Sequence, residues 1–236
     1  MNLNVLYEDN HIIAVYKPAG MLVQGDHSGD PTLMDEVKYY LKQKYNKPGN
    51  VFLGMVHRLD RPVSGIVIFG KTSKGASRLS EQIRSHTIEK IYHALVLGIP
   101  KEPRGTLVNY LKKDTDKNFV CVYDSAVEGA LRAELDYEVV DSKKGKSIVK
   151  IILKTGRPHQ IRSQLAHMGC PIVGDVKYGA PDQTRGELVE PKEIETHGQK
   201  HTAITLCATS LKFKLATVND EKLIEIDRPH EWENYL

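Results

Sequence analysis

Two short polar stretches hold the side chains best suited to chemistry. The first, "HRLDRPVSG" at residues 57–65, sets one carboxylate, Asp60, among His57, Arg58 and Arg61, just ahead of an apolar run. The second, "TGRPHQIR" at residues 155–162, supplies Arg157, His159 and Arg162. Each lies where a loop meets a regular element, the usual place for functional side chains on a rigid scaffold. If the second stretch opens a helix that faces the first, Arg162, one residue from the apolar Ile161, reaches inward toward Asp60. A cation about 4 to 6 Å away keeps an aspartate ionised, which suits a nucleophile or base and not a general acid. On spacing alone, such a pair reads first as a structural ion pair.

Other chemistries find less support. The chain has ten histidines, but His57, His86, His93, His159 and His167 show no recognised ligand spacing with a carboxylate or a second histidine, so no metal is expected. Ser64 lacks the G-x-S-x-G elbow of a hydrolase nucleophile. Cys121, Cys170 and Cys207 are far apart, without a CxxC pair, and read as buried structural thiols.

The elements that must position these stretches follow from periodicity. "VLYEDNHIIAVYKPAG" predicts two short strands joined by a polar turn and closed by Lys-Pro-Ala-Gly. "SGIVIFGKT" predicts a buried strand. A helix follows, capped by Ser73, with Ala76, Leu79 and Ile83 at helical spacing, and then a strand in "IEKIYHALVLG". "FVCVYD" predicts a further strand, and "RAELDYEVVDSKKGKSIVKIILKT" a hairpin about its Lys-Lys-Gly-Lys turn. A short helix is predicted over 158–168, with Pro158 in its first turn, Ile161, Leu165 and Met168 as its stripe, and Gly169 as its stop. Residues 180–200 read as a polar surface loop before strands near 201–206, 210–216 and 222–227. Many strands with a few helices indicate an α+β fold with a mixed, largely antiparallel central sheet and flanking helices, in one domain over 1–236.

Composition bounds the reading. At 236 residues, 40% hydrophobic and 27% charged, the chain can bury a sizeable core. The start "MNLNVLYEDN" reads as neither leader nor anchor, and runs such as "IVIF" and "ALVL" are too short to cross a bilayer, so a cytoplasmic protein is expected. A net charge of +3 does not by itself announce a nucleic-acid binder. Local basic clusters, "KGASRLSEQIR", "LKK" at 111–113 and "SKKGKSIVK", read on their own as solvated faces.

Taken together, "HRLDRPVSGIVIFGKT", "EKIYHALVLG" and "TGRPHQIRSQLAHMGCPIVGDVKYG", in that order, resemble the core motifs of the RluA-type pseudouridine synthases, as does the opening "YEDNHIIAVYKPAGMLV". The resemblance covers about residues 5–216. It implies the pseudouridine synthase catalytic fold and isomerisation of uridine in structured RNA, an rRNA or tRNA stem-loop, without a cofactor. It casts Asp60 as the catalytic aspartate, Tyr92 as the tyrosine that stacks on the target uracil, and Arg162 as the aspartate's partner. Arg58 would enter the RNA stack where the base has left, and Arg157 and His159 would bind substrate. Val63 stands where the family usually has a threonine and Pro158 where it has another, so position 63 offers no hydroxyl. A buried base must be flipped out and held on an aromatic face; on the residues alone, a strand tyrosine such as Tyr92 reads as core.

A monomer is expected, with RNA as its partner and neither DNA nor membrane; the N-terminal extension that carries a small accessory RNA-binding domain in many family members is not expected here, so substrate choice would rest on the core and its loops. Two other readings compete. A non-catalytic RNA-binding module or RNA chaperone on the same fold would need cations and aromatics but no nucleophilic carboxylate. A glycosidase would want a second carboxylate as acid, which neither stretch offers.

Overall fold

The computed structural model of the chain describes residues 3–26, 28–179, 193–196, 199–218 and 220–235. Its elements are β1 (Val5–Glu8), β2 (Ile12–Lys17), α1 (Leu33–Lys44), β3 (Gly54–Met55), β4 (Ser64–Gly70), α2 (Ser73–Arg84), β5 (Glu89–Leu97), β6 (Arg104–Asp114), β7 (Phe119–Tyr123), β8 (Leu131–Lys143), β9 (Lys146–Leu153), α3 (Gln160–His167), β10 (Glu193–Thr196), β11 (Gln199–Thr202), β12 (Leu206–Lys214) and β13 (Glu221–Glu225). The fold is α+β, and every strand ladder whose register is described is antiparallel. The chain divides into two compact units, residues 1–89, 194–201 and 210–226 in the first, and 90–193, 202–209 and 227–236 in the second.

In the first unit β1, β2 and β4 are neighbours in that order, β3 pairs with β4, and β13 pairs with β12 from Ser210 to Lys214. The apolar runs of β2 and β4 are buried almost throughout, which is how sheet strands covered on both faces read in sequence. Ile12, Ala14, Ile66 and Ile68 form a core with Leu79 of α2 and with Leu211, Phe213 and Ile224. Helix α2 is capped by Thr72, whose hydroxyl accepts from the Gly75 N–H at 3.1 Å, one residue before the expected cap. It lies so close to its neighbours that a Cβ on Gly75 would stand 2.2 Å from the His11 carbonyl oxygen, and one on Gly70 2.4 Å from the Ala76 nitrogen. Helix α1, absent from the expectations, starts at a full capping box: Thr32 accepts from the Asp35 N–H while Asp35 accepts from the Thr32 N–H.

In the second unit the strands run in the order β5, β9, β8, β6, β7, with the hairpins β8–β9 and β6–β7 side by side and β5 against β9. The hairpin read at Lys143–Lys146 is present, with Lys143 opposite Lys146. Helix α3 begins two residues later than predicted. His159 occupies the N-cap position in the left-handed region at φ 50°, which keeps Pro158 out of the helix. The stop at Gly169 is as expected: at φ 87° it donates to the Ala166 carbonyl while the Cys170 N–H reaches Leu165, a Schellman closure. Cys170 and Cys207 are buried and Cys121 is half-buried, each without a disulfide. Of the loop expected at 180–200, most lies outside the described residues; within it, β10 pairs with β11. Among the described residues no helix is long and apolar enough to cross a membrane.

Candidate active site

In the first unit Asp60 sits half-buried on a turn between β3 and β4, closed by the Val63 N–H donating to the Asp60 carbonyl at 3.0 Å. That turn is fastened on both sides. Upstream, the Ile68 N–H of β4 donates to Nε2 of His57 at 3.0 Å, where β3 has already ended. The imidazole therefore accepts at Nε2 and ties the turn to β4. Downstream, the Arg61 side chain donates from Nε to the Gly20 carbonyl at 2.9 Å and from Nη2 to Asp30 at 2.6 Å. Its carbonyl accepts from the Gly20 N–H at 2.8 Å and from Lys17 Nζ at 3.1 Å. Arg61 thus braces the Lys-Pro-Ala-Gly turn.

Lys17 is the residue that sequence reading missed here. Wholly inaccessible to solvent, its ammonium donates to the carbonyls of Pro18, Met21 and Arg61 at 3.0, 2.8 and 3.1 Å. Burial pushes its pKa down to about 7; the negative charge of Asp60 works against that fall and Arg61 with it. Three carbonyl acceptors suit the ammonium, which has three hydrogens to give. A lysine ending the otherwise apolar run "IIAVYK" was the available signal. Arg58 stands apart from this scaffold: it is exposed, and none of the described residues pairs with its guanidinium.

In the second unit Tyr92 lies on β5 opposite Ile151 and is only 7% exposed. Helix α3 carries Arg162, whose Nε and Nη2 donate to the two carboxylate oxygens of Asp175 at 2.7 and 2.8 Å. The guanidinium also lies 5.1 Å from the centre of the Tyr178 ring, a cation–π distance. Tyr178 is a hub: its hydroxyl accepts from the Val120 N–H at 3.0 Å and meets His159 Nδ1 at 2.7 Å, and its ring stacks on Phe119. This tether holds His159 in its left-handed conformation. Arg157 is half-buried and spends Nε on the Arg132 carbonyl at 3.0 Å. Gln160 ties the turn together, accepting from the Thr155 hydroxyl and the Arg157 N–H and donating to the Glu134 carbonyl. The second stretch therefore brings Arg157, His159 and Arg162 together through Gln160, Tyr178 and Asp175. Neither Asp175 nor Tyr178 was singled out in sequence, although both lie in the quoted "GDVKYG". No three His, Cys, Asp or Glu side chains come together as a metal site among the described residues.

Residues 11–167 match the family model for RNA pseudouridylate synthase. The chain belongs to that family. The matched segment holds Lys17, Arg58, Asp60, Tyr92, Arg157, His159 and Arg162 alike. Among similar family members, tRNA pseudouridine synthase C of Vibrio parahaemolyticus is 30% identical, with 99% of this chain and 93% of that protein covered. The enzyme of the same name from Haemophilus ducreyi is 35% identical over 78% of this chain and 77% of its own length. Ribosomal large subunit pseudouridine synthase D of Pseudomonas aeruginosa is 30% identical over 76% of this chain. The chain spans only 54% of that last protein. The solved structure of human RNA pseudouridylate synthase domain containing 4 shares the fold, with a TM-score of 0.76 over 98% of this chain and 91% of that chain at 20% identity.

Proposed function

We propose that this protein isomerises specific uridines in structured RNA, an rRNA or tRNA stem-loop, to pseudouridine, using Asp60 and no cofactor. The observation that carries the reading is the braced turn of Asp60: a carboxylate beside a buried lysine, fixed by His57 and Arg61, within the segment that matches the family. An RNA-binding module would have no use for a carboxylate on a turn held that firmly.

In the proposed reaction the target uridine leaves its stack and lies against Tyr92, with Arg58 entering the space it vacates. Asp60 supplies an electron pair as the bond from the sugar C1′ to uracil N1 breaks, the pair of that bond leaving with the uracil, and the carboxylate takes its own pair back when the new carbon bond forms. The uracil turns and C5 bonds to C1′. The hydrogen on C5 then leaves as a proton, N1 gains one, and the product is an isomer of the substrate with no change in mass. Arg162 sustains the ionised state of Asp60, and Arg157 and His159 contribute to the RNA surface. We further propose that the two units act as one catalytic domain, since the family match runs through both, and that the protein works as a monomer in the cytoplasm on RNA, with neither DNA nor membrane as partner.

RNA transcribed with uridine tritiated at C5 tests the reading directly. Wild-type protein releases tritium to water as C5 bonds to the sugar; Asp60→Asn binds the RNA with nearly unchanged affinity and releases none. Binding without release by the wild type, on total tRNA and total rRNA alike, would favour the non-catalytic RNA-binding module or chaperone. Mapping pseudouridines in cells with and without the gene then identifies the position.

A further inference from the structure

The two lysines that are buried among the described residues both have partners, and Lys90 is half-buried. Lys17 has three carbonyls, and Lys71 has the Glu8 carboxylate, the Asp9 carbonyl and the Tyr45 hydroxyl. Lys90 has none among the described residues, although burial pushes its pKa below the usual lysine value. It stands on β5 two residues before Tyr92 and so on the same face of that strand, about 7 Å along it. Its Nζ lies 3.8 Å from where a Cβ on Gly156 would be, against the turn that leads into α3. A desolvated cation without a counter-charge is costly to hold. The protein holds one on the face of β5 that carries Tyr92, against the turn that leads to Arg157 and His159.

We infer that the Lys90 ammonium binds a backbone phosphate of the RNA, the one flanking the nucleotide whose base lies on Tyr92. Single-stranded nucleic acid is commonly gripped by an aromatic platform for the base and a cation for its backbone, and β5 presents the two at successive positions of one face. Anion binding returns to the ammonium the charge that the fold leaves unbalanced. Gly156, having no side chain, leaves the approach over the turn open. The inference rests on the proposed activity only for which nucleotide is held; binding itself is read without turnover.

The test uses the full chain, with Lys90→Met and Lys90→Arg, and a stem-loop RNA made with or without one methylphosphonate in place of the phosphate flanking the target uridine. Lys90→Met is expected to bind the natural RNA about tenfold more weakly, to lower the slope of log affinity against log salt by about 0.7 to 0.9, and to melt no lower than wild type. Lys90→Arg restores affinity and slope. Neutralising that one linkage weakens the wild type but leaves Lys90→Met unaffected, the signature of a coupled pair. Unchanged affinity and salt slope in Lys90→Met overturn the inference. So does an equal loss from the methylphosphonate in both proteins, which would place Lys90 away from that phosphate. Because Asp60→Asn protein gives the same binding readouts, failure of the isomerase reading leaves this result standing.

Discussion

Arg162 and Asp175 form a two-pronged ion pair, at 2.7 and 2.8 Å, with Asp175 only 1% exposed. Arg162→Met leaves that carboxylate buried without its cation, a loss of about 3 to 5 kcal/mol. Chemical denaturation is expected to show it. The double variant Arg162→Met with Asp175→Asn recovers a large part of the stability, because the amide needs no counter-charge. If Arg162 also serves Asp60, the double variant stays inactive despite its recovered stability; recovered tritium release would make the arginine purely structural.

Lys17 imposes a pH dependence whose sign is fixed. Its folded pKa of about 7 lies below its ordinary value of 10.5. Between those values the unfolded chain holds more protons, so the contribution to stability rises with pH. The cost of burying the ammonium is in full force below about pH 7 and is gone above about pH 10.5. The stability of the wild type is therefore expected to climb relative to that of Lys17→Met across this window, measured as denaturant midpoints at several pH values. A constant difference between the two proteins would show that the carbonyl cage keeps the lysine at its ordinary pKa.

For Tyr92, the proposed stacking role predicts a split between ring and hydroxyl. Tyr92→Phe keeps RNA affinity, whereas Tyr92→Ala loses about 1 to 3 kcal/mol, roughly 5- to 150-fold. Equilibrium binding to the stem-loop RNA reads this, and equal affinity for both variants would remove the platform role. Slower tritium release from Tyr92→Phe would show that the hydroxyl takes part in moving the C5 proton.

Arg58 is exposed and unclaimed by the described residues, as a group that enters RNA must be. Opening a stacked base costs a few kcal/mol. If stacking of the guanidinium returns about 2 to 3 kcal/mol of that, Arg58→Ala slows a folded stem-loop by about 30- to 150-fold. An unstructured RNA with the same uridine should be slowed much less. Single-turnover rates on the matched pair decide it, and equal slowing on both would deny Arg58 the flipping role.

What the sequence made legible was what short-range pattern controls. The strands β2, β4 and β5, the β8–β9 hairpin and the stop at Gly169 could each be read from periodicity and turn residues. Helix α1 was equally local, since Thr32 and Asp35 stand at capping-box spacing, yet the charged run "DEVKYYLKQK" that follows hides a stripe of Leu33, Val37 and Leu41. The late start of α3 was not legible, because it depends on His159 being held in a left-handed conformation by Tyr178, nineteen residues on. The same holds for the functional stretches. Their residue types pointed to an ionised aspartate among cations, but the assignment of each cation is tertiary. His57 accepts a strand N–H, Arg61 braces a distant turn, and Lys17, far off in sequence, lies close enough for Asp60 to act on its charge.

The double fastening of the Asp60 turn, by His57 to Ile68 and by Arg61 to Gly20, has a thermodynamic corollary for RNA association. Ordering a loop's backbone costs about 1 to 2 kcal/mol per residue, and here that ordering is completed when the chain folds. Association then carries little entropy loss from this segment, which on the proposed role of Asp60 would leave the turn that bears it already in place when substrate arrives. The amides of Val63, Gly20 and Ile68 would accordingly exchange their hydrogens about as slowly in the free protein as in the complex, a preorganised turn beside an RNA that does most of the rearranging.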